Sequence, residues 1–330
     1  MSAIKIVRGL ALLSAAGALC LSAAAKDEAE ALKLKSLRIV VPLPAGSAPD
    51  VLARRMSENL GKSLKIPVIV ENKPGFSGFI GGQEVLRSPA DGSSLYMAIS
   101  SFVVITPQTY SKTPYDPVRD FRPLVQIGRT SLALAVSTSG RFSSLDSYVG
   151  EARKNPELVS FGSFGNGTAA HLLGEEFMRM GKIRLRHVPY KQSATPDVIG
   201  GHLDATITDV GSLTPFIGDP PKLRVLAVTG DKRNSLLPDV PTFAEQGYGS
   251  VSKMTGWLGI FAPKAVPAAV ADKLSQAIVQ ATESVQYRAS MAMLGYQYTG
   301  IQGAQFSDIV NADYKRWGDT IQAIGGIRLD

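Results

Sequence analysis

The most constraining feature of the sequence is a strand-to-helix junction at Leu37–Met56, which reads LRIVVPLPAGSAPDVLARRM. Leu37–Val41 is a short apolar run rich in β-branched residues, which is typical of a buried strand. Two prolines and a glycine in residues 42–46 then exclude both a helix and a strand ladder. A helix is predicted to begin after them, because Ser47 is a good N-cap and Asp50 follows three residues later.

A junction of this kind suits a bound anion. The first N–H groups of a helix lack partners within the helix, and the helix dipole places partial positive charge there. On this stretch alone, an ordinary strand-to-helix turn explains the pattern equally well. Two further glycine-rich loops change that balance, because residues 72–82 and 164–168 also follow predicted strands. The three loops together predict a ligand held largely by main-chain donors.

Predicted strands and helices alternate along most of the chain. The strand candidates are Leu37–Val41, Val68–Glu71, Ser94–Ile99, Leu132–Ser137, Val159–Gly162, Arg184–Val188, Ala205–Thr208, Leu223–Thr229 and Trp257–Pro263. Helices are predicted at Pro49–Leu60, Gly78–Arg87, Leu145–Asn155, Ala169–Met180, Thr195–Gly200, Pro267–Ser284 and Gln305–Ala323. This alternation predicts an α/β fold with doubly wound, parallel sheets, in which ligands bind beyond the carboxyl ends of the strands.

Composition narrows the class of protein. A chain of 330 residues is long enough for two domains with full cores. Hydrophobic residues make up 45% and charged residues 19%, which is ordinary for a globular protein. The net charge of +7 is spread along the chain, without a basic run or interleaved aromatics. Nucleic acid is therefore not an expected partner.

Residues 1–25 are predicted to be a cleaved export signal. Lys5 and Arg8 precede an apolar run at 9–21, and small residues follow it. The single cysteine, Cys20, lies inside this segment. A lipid anchor on Cys20 is the less favoured alternative, because a bulky residue precedes it. After cleavage the chain would have no cysteine, which excludes disulfides, thiol catalysis and cysteine metal sites.

No catalytic constellation is visible in the sequence. The three histidines, His171, His187 and His202, lack metal-ligand spacing. His171 is better explained as a side chain that pins loop 164–168 to its helix than as a catalytic base. An exported hydrolase working from His171 or Asp209 is a minor alternative. The prediction is a protein that is not an enzyme, with no cofactor and no metal.

Six motifs, taken in order, resemble the substrate-binding proteins of tripartite tricarboxylate transporters, the Bug-type extracytoplasmic solute receptors. They are VPLPAGSAPDVLARRM (41–56), VIVENKPGFSGFIGGQEVLRSPADGSSL (68–95), YDPVRDFRPL (115–124), FGSFGNGTAAHLLGEEF (161–177), VPYKQSATPDVIGGHLDATITD (188–209) and LRVLAVTGDKRNSLLPDVPTFAEQGY (223–248). The resemblance runs from Leu37 to the end of the sequence.

This resemblance implies a two-lobed fold of the type II periplasmic-binding-protein kind. Each lobe would be a doubly wound, mainly parallel sheet, with residues 26–127 and 253–330 in lobe I and 128–252 in lobe II. The cleft between them would capture a small carboxylate and deliver it to the membrane permease of a tripartite transporter. The protein would work as a monomer in the periplasm. A ligand-sensing receptor for a signalling partner, with the same fold and site, is the alternative.

The resemblance also implies which residues bind the ligand. In lobe I they are Ala45, Gly46, Ser47, Asp50, Gly78, Phe79, Ser100 and Ser101, and in lobe II they are Gly165, Asn166, Gly167, Thr168, Tyr190 and Asp209. The sequence departs from the family pattern at Leu43, Ser47, Phe79 and 101–103, mostly toward apolar residues. We therefore expect a ligand that joins one carboxylate to an apolar or aromatic body, rather than a citrate-like ligand.

Overall fold

A computed structural model describes residues 32, 34–190 and 193–329. The predicted export signal at 1–25, with Cys20, lies outside these residues. Two sheets contain the strands of the described part of the chain. The strands are β1 Leu37–Val41, β2 Val68–Asn72, β3 Ser94–Ile99, β4 Phe121–Thr130, β5 Leu132–Ser137, β6 Ser160–Ser163, β7 Arg186–Pro189, β8 Ala205–Asp209, β9 Leu223–Val228, β10 Gly256–Pro263 and β11 Tyr296–Gln302.

Helices connect these strands. The longer helices are α1 Ala48–Leu64, α2 Phe79–Leu86, α3 Leu145–Lys154, α4 Ala169–Gly181, α5 Ala268–Thr282, α6 Val285–Met293 and α7 Gly303–Ala323. Short α-helical segments lie at Thr106–Thr109, Pro117–Asp120, Thr195–Ile199, Val210–Leu213 and Gly249–Ser252, and single 3-10 turns at Phe76–Gly78, Thr214–Phe216 and Ala244–Gln246. A π-helical turn occupies Ser101–Ile105. No helix in the described part is long and apolar enough to cross a membrane.

The first sheet has six strands in the order β11-β4-β10-β3-β1-β2. Successive residues of β1 face opposite sides, because Ile39 packs in one buried cluster and Val40 in another. Helices α1 and α5 cover the Ile39 side, where Leu52 and Leu274 are buried. Trp317 of α7 covers the other side. Coverage of both faces explains why β1, β3 and β10, in the middle of the sheet, are nearly continuous apolar runs.

The second sheet has five strands in the order β7-β6-β8-β5-β9. In both sheets the pairings are mixed, but four of the six strands of the first sheet and four of the five strands of the second run in the same direction, as the expectation of mainly parallel sheets requires. β1 pairs parallel with β2 and β3, and β6 with β7 and β8. β10 and β11 are antiparallel to their neighbours in the first sheet, and β5 is antiparallel to its neighbours in the second.

The reason for the mixed pairing lies in where the chain crosses between the sheets. Only Ser131 separates β4 from β5, and the return crossing runs through residues 253–255 into β10. Each crossing starts from the sheet edge where the parallel strands end. A strand that begins at that edge must run opposite to them, as β5 does beside β8 and β10 does beside β3.

Two strands of the first sheet, β4 and β11, and the helix α6 that precedes β11 were not predicted from the sequence. The β4 pattern is interrupted by Pro123, which argues against a central strand. The structure accommodates this proline at a register irregularity between Ile260 and Phe261 of β10. The extra antiparallel strands extend the first sheet on the side away from β2.

Candidate functional site

The glycine-rich loops all leave their sheets at the edge where the chain crosses between them. Ile99, at the end of β3, lies opposite Leu258 near the start of β10. In the second sheet, Asp209 at the end of β8 lies opposite Leu132 at the start of β5. The ends of β1, β2 and β6 lie at the same edges, because these strands are parallel to β3 or β8. The loops therefore face the gap between the two sheets.

The first loop, residues 42–47, is held by the carboxylate of Asp50. Its side chain is only 4% exposed. One oxygen accepts the Gly46 N–H at 2.8 Å, and the other accepts Nδ2 of Asn72 at 2.9 Å. Arg54 forms an ion pair with the same carboxylate at 3.0 Å. Asn72 also donates to the carbonyl of Leu43 at 3.1 Å, which fixes the other end of the loop.

These contacts set the ionisation of Asp50. Burial alone would raise its pKa, but the hydrogen bonds from Gly46, Arg54 and Asn72 outweigh burial and lower the pKa below its ordinary value. The carboxylate is thus ionised and engaged by the chain's own donors. Its action on a ligand would be indirect, through the position of the loop.

Part of the main chain of the first loop is already used, because the Gly46 N–H donates to Asp50 and the Ser47 N–H donates to the Pro44 carbonyl at 3.2 Å. Ala45 and Gly46 are exposed, and Gly46 has a φ of +82° with open space where a side chain would lie. Ser47 is the N-cap of α1, as predicted, but its side chain makes no cap hydrogen bond. Its Oγ is buried and has no hydrogen-bond partner among the described residues.

The second loop contains an unusual run of backbone conformations. Gly75, Phe76, Ser77 and Gly78 all have positive φ, at 122°, 44°, 47° and 89°. Phe76 and Ser77 are not glycines, so each costs about 1–2 kcal/mol in this region. Tyr110 compensates, because its hydroxyl lies 3.0 Å from Ser77 Oγ and its ring packs edge-on against Phe76 at 5.1 Å. Phe76 nevertheless stays 47% exposed.

Gly78 and Phe79 have structural roles in this loop. A Cβ on Gly78 would lie 2.5 Å from the Phe102 ring, so only glycine fits there. The Gly78 carbonyl accepts the Tyr96 hydroxyl at 3.0 Å. Phe79 is buried, with its ring against Tyr110 and Tyr115. Phe79 was predicted to contact the ligand, but its buried ring lies behind Phe76, with the two ring centres 5.3 Å apart.

Ser100 and Ser101 lie at the end of β3. Ser100 is buried, and its Oγ accepts the backbone N–H of Trp257 at 3.3 Å. Ser101 opens the π-helical turn, in which the Thr106 N–H donates to the Ser101 carbonyl. Such turns are rare and occur often at functional sites. Ser101 is half-buried, so it is the better placed of the two serines to meet a ligand.

The third loop is fixed by His171. Gly165 and Gly167 have φ of 122° and 70°, and Thr168 caps α4 by accepting the His171 N–H. The Gly167 N–H donates to Nδ1 of His171 at 3.1 Å. The side chain thus pins the loop to its helix, and Nε2, which then carries the proton, lies 3.3 Å from Glu175. Asn166, between the two glycines, is exposed.

A second histidine supports the same loop. His187 stacks on His171 with ring centres 4.0 Å apart and on Phe161 at 4.8 Å. Its Nε2 lies 2.7 Å from Ser163 Oγ, which in turn donates to the Gly165 carbonyl. Burial and the neighbouring His171 lower the pKa of His187 to about 4. The stack is therefore built for a neutral His187.

The third loop lies beside two residues of the other half of the molecule, Thr109 in the short helix after β3 and Leu329 near the end of the chain. A Cβ on Gly167 would lie 2.8 Å from Leu329 and 3.3 Å from Thr109 Oγ1. Leu329 forms an isolated parallel bridge with Tyr110, the residue that supports Phe76. The second and third loops are thus joined through a short chain of contacts.

Two predicted site residues of the second sheet use their polar groups internally. The Tyr190 hydroxyl donates to Asp197 at 2.5 Å, which raises the pKa of Tyr190 to about 12. Asp209 caps the helix Val210–Leu213 by accepting the Ser212 N–H at 2.9 Å. Both residues lie at the edge where the chain crosses between the sheets. Their polar groups bond to the protein itself, and no described contact holds either group toward the gap between the sheets.

Sequence reasoning missed Phe76, Ser77, Thr109, Tyr110 and Leu329. The Gly75–Gly78 spacing could have indicated the strained turn, since glycines flank both non-glycine residues. The other three are joined to it only through tertiary contacts. Among residues 34–190 and 193–329, no group of three His, Cys, Asp or Glu side chains could hold a metal ion.

Comparison with known proteins shows which family shares this architecture. The family model of the tripartite tricarboxylate transporter family receptor matches residues 52–326. The chain belongs to this family. The protein BugT of Bordetella pertussis is 28% identical over 305 residues, covering 92% of this chain and 93% of BugT. The resemblance to Bug-type solute receptors is confirmed.

Similar solved structures support the same family assignment. A structure described as a periplasmic transporter is 31% identical, with a TM-score of 0.79, covering 89% of this chain and 98% of its own. The R. palustris protein Rpa4515, solved with adipate, is 27% identical with the same TM-score and coverage. The predicted α/β periplasmic-binding-protein fold is thereby confirmed, and the receptor works as a solute-binding protein.

Removing the Asp50 carboxylate should destabilise the protein. Asp50→Ala leaves Arg54, Asn72 and the Gly46 N–H without their shared acceptor, and we expect the free energy of unfolding to fall by about 2–3 kcal/mol. Urea denaturation measures this change. Glu58→Ala, which removes an exposed acid from the same helix, should change it by less than about 0.5 kcal/mol. Equal effects of the two substitutions would contradict the network.

Acidification should weaken the histidine stack. His187 has an ordinary pKa of 6.5 and a lowered one of about 4 in the fold, so the unfolded state binds its proton first. The contribution of the neutral His187 to the free energy of unfolding is complete above pH 6.5. It declines as the pH falls toward 4, by up to about 3 kcal/mol. His171 and Glu175 face the ring. Denaturation curves of His187→Gln should lose this part of the decline, and those of His202→Gln, an exposed control, should keep it.

Proposed function

We propose that this receptor captures a small carboxylate in the gap between its two sheets and delivers it to the permease of a tripartite transporter. The observation that carries the proposal is the closeness of Gly167 to Thr109 and Leu329, because it places a glycine-rich loop of the second sheet beside the half of the molecule that contains the first sheet. The proposed ligand contacts are Ala45, Gly46, Ser47, Ser101, Gly165, Asn166, Gly167 and Thr168, with Asp50, Gly78, Phe79, Ser100, Tyr190 and Asp209 as their supports.

Two helix N-termini would supply the carboxylate site. α1 begins after the Ala45–Ser47 turn, and α4 begins after Thr168. Among the described residues, the N–H groups of Ala48 and Asp50 in α1 and of Ala169 and Ala170 in α4 have no hydrogen-bond partner, and each first turn carries partial positive charge. The glycines allow close approach of the ligand to the main chain. Binding would be strongest when one ligand meets both turns, which favours the closed arrangement of the two sheets.

The remainder of the gap favours an apolar ligand body. Phe76 presents a half-exposed ring at the strained turn, and the ring is held by Phe79 and Tyr110. Adipate, found in the similar R. palustris structure, joins two carboxylates through an apolar methylene chain. We propose a ligand of this kind, in which at least one carboxylate is attached to an aliphatic or aromatic body.

The remaining parts of the proposal concern the whole protein. Residues 1–25 would direct export and be removed, leaving a monomeric receptor in the periplasm. Residues 26–127 with 253–330 would form one lobe and residues 128–252 the other, which follows the division of strands between the two sheets except for residues 128–130, the end of β4 in the first sheet. The partner would be a membrane permease, and the protein would have no catalytic activity.

A thermal-shift screen tests the ligand class. The protein is first stripped of any bound ligand by unfolding and refolding, then heated with adipate, benzoate or citrate. We expect adipate or benzoate to raise the melting temperature, since a ligand at 100 times its Kd adds about 2.7 kcal/mol to stability. A shift with citrate alone would contradict the apolar body. No shift with any carboxylate of a wider panel would contradict carboxylate capture.

Gly167→Val tests the position of the cleft. The added side chain would intrude on Leu329 and Thr109 and hold the two sheets apart. We expect adipate affinity, measured by isothermal titration, to fall at least about tenfold, which corresponds to 1.4 kcal/mol. Gly201→Val is the matched control, because Gly201 also has a positive φ but open space around it. Unchanged affinity in Gly167→Val would remove this loop from the site.

A further inference from the structure

A cavity of about 510 Å³ lies where the chain crosses between the sheets. Its wall includes residues 129–131 of the first crossing and parts of 253–257 at the second. Residues 230–236, which follow β9, and parts of 292–297, at the start of β11, line its sides. None of the proposed ligand-binding residues lines this hinge cavity. It is therefore a separate feature from the proposed cleft.

The wall of the hinge cavity is cationic. Two carboxylates line it, from Asp231 and Asp313, against five positively charged side chains: Arg129, Lys232, Arg233, Lys253 and Arg316. Hydroxyl and amide groups, such as those of Ser235 and Gln297, lie among them. A volume of this size suits a small ligand.

Two of the cations are already paired. Arg233 pairs with Glu245 at 2.9 Å, outside the cavity wall. Arg316 pairs with Asp313 at 2.8 Å, and the Trp257 indole N–H donates to the same carboxylate at 2.7 Å. The Asp313 carboxylate is therefore engaged by Arg316 and Trp257, and it also attracts Arg129 at longer range.

The remaining cations have no such partner. Arg129, Lys232 and Lys253 form no ion pair within residues 34–190 and 193–329. In the same described part of the chain, Nε of Arg316 is buried without a hydrogen-bond partner. The wall thus holds three cations without an ion pair against one such carboxylate, that of Asp231, and a concave surface with this excess focuses a positive potential that favours a bound anion.

We infer that the hinge cavity is a second binding site, which takes a small oxyanion carrying more than one negative charge. The ligand oxygens would accept hydrogen bonds from Arg129, Lys232 and Lys253. Inorganic phosphate and small organic polyanions share this chemistry. Charge-assisted hydrogen bonds to arginine and lysine are among the strong polar contacts in proteins.

The position of the hinge cavity couples this site to the cleft. Arg129 belongs to β4 of the first sheet, whereas Lys232 follows β9 of the second. An anion that contacts both stabilises one relative arrangement of the sheets. By linkage, it changes the affinity of the cleft for its own ligand, and the cleft ligand changes the affinity of the cavity for the anion by the same factor.

Inorganic phosphate is the test ligand. The melting temperature of the protein is measured against phosphate concentration, with potassium chloride adjusted to hold ionic strength constant. We expect a saturable rise. In the double variant Lys232→Gln/Lys253→Gln, half of the rise should need at least about tenfold more phosphate, because two charge-assisted contacts are lost. Both lysines are exposed, so the variant should fold.

Lys222→Gln/Lys264→Gln is the matched control, since it removes two exposed lysines that do not line the hinge cavity. It should respond to phosphate within about twofold of the unchanged protein, because its cavity is intact. Equal weakening in both double variants, or no saturable rise at all, would overturn the inference. Each variant is also heated with adipate. Retention of the adipate shift in Lys232→Gln/Lys253→Gln supports two separate sites, and its loss would show that the cavity is not a second site.

Discussion

The crossing of the chain between its two sheets is the constraint on which the remaining structure depends. Only Ser131 separates β4 from β5, so the second sheet must begin where the first ends. This geometry makes β5 and β10 antiparallel to the strands beside them. It also directs the loops after β1, β2 and β6 toward one gap. Main-chain donors that are far apart in the sequence thereby reach the same ligand.

The gap is built from conformations that cost free energy. Phe76 and Ser77 occupy the left-handed region, which a pair of glycines would adopt without strain. Tyr110 and Phe79 hold them there through ring packing and a hydrogen bond. The Asp50 carboxylate accepts hydrogen bonds from Gly46 of the first loop and from Asn72, and it pairs with Arg54, which fixes the loop. Both devices fix the loops before a ligand arrives, which lowers the entropy lost on binding.

The sequence predicted the strand-to-helix junctions well, because β-branched runs followed by proline and glycine have few other structures. It missed β4, since Pro123 interrupts the pattern and only the irregular pairing with β10 makes room for it. It could name Asp50 and Phe79 as members of the site region, but not their contacts. A carboxylate can accept a ligand donor or a loop N–H equally well, and only tertiary structure decides between them.

Other features were beyond sequence reasoning for a different reason. The hinge cavity combines residues from five separate segments between residues 129 and 316. No local pattern relates Arg129 to Lys232 or Lys253. The same holds for Leu329, which lies beside Tyr110 and Gly167 although it is more than 150 residues from either. Such groupings come from the way the chain returns to its first sheet after building the second.

One buried cluster runs through both halves of the molecule. It contains Val40 of β1, Leu134 of β5, and Trp317 and Ile321 of α7. Apolar surface shared in this way stabilises each half only while the other is present, at about 25 cal/mol for each Å² covered. The two halves are therefore joined by apolar packing as well as by the two crossings of the chain, and moving them apart would expose the part of this cluster that they share.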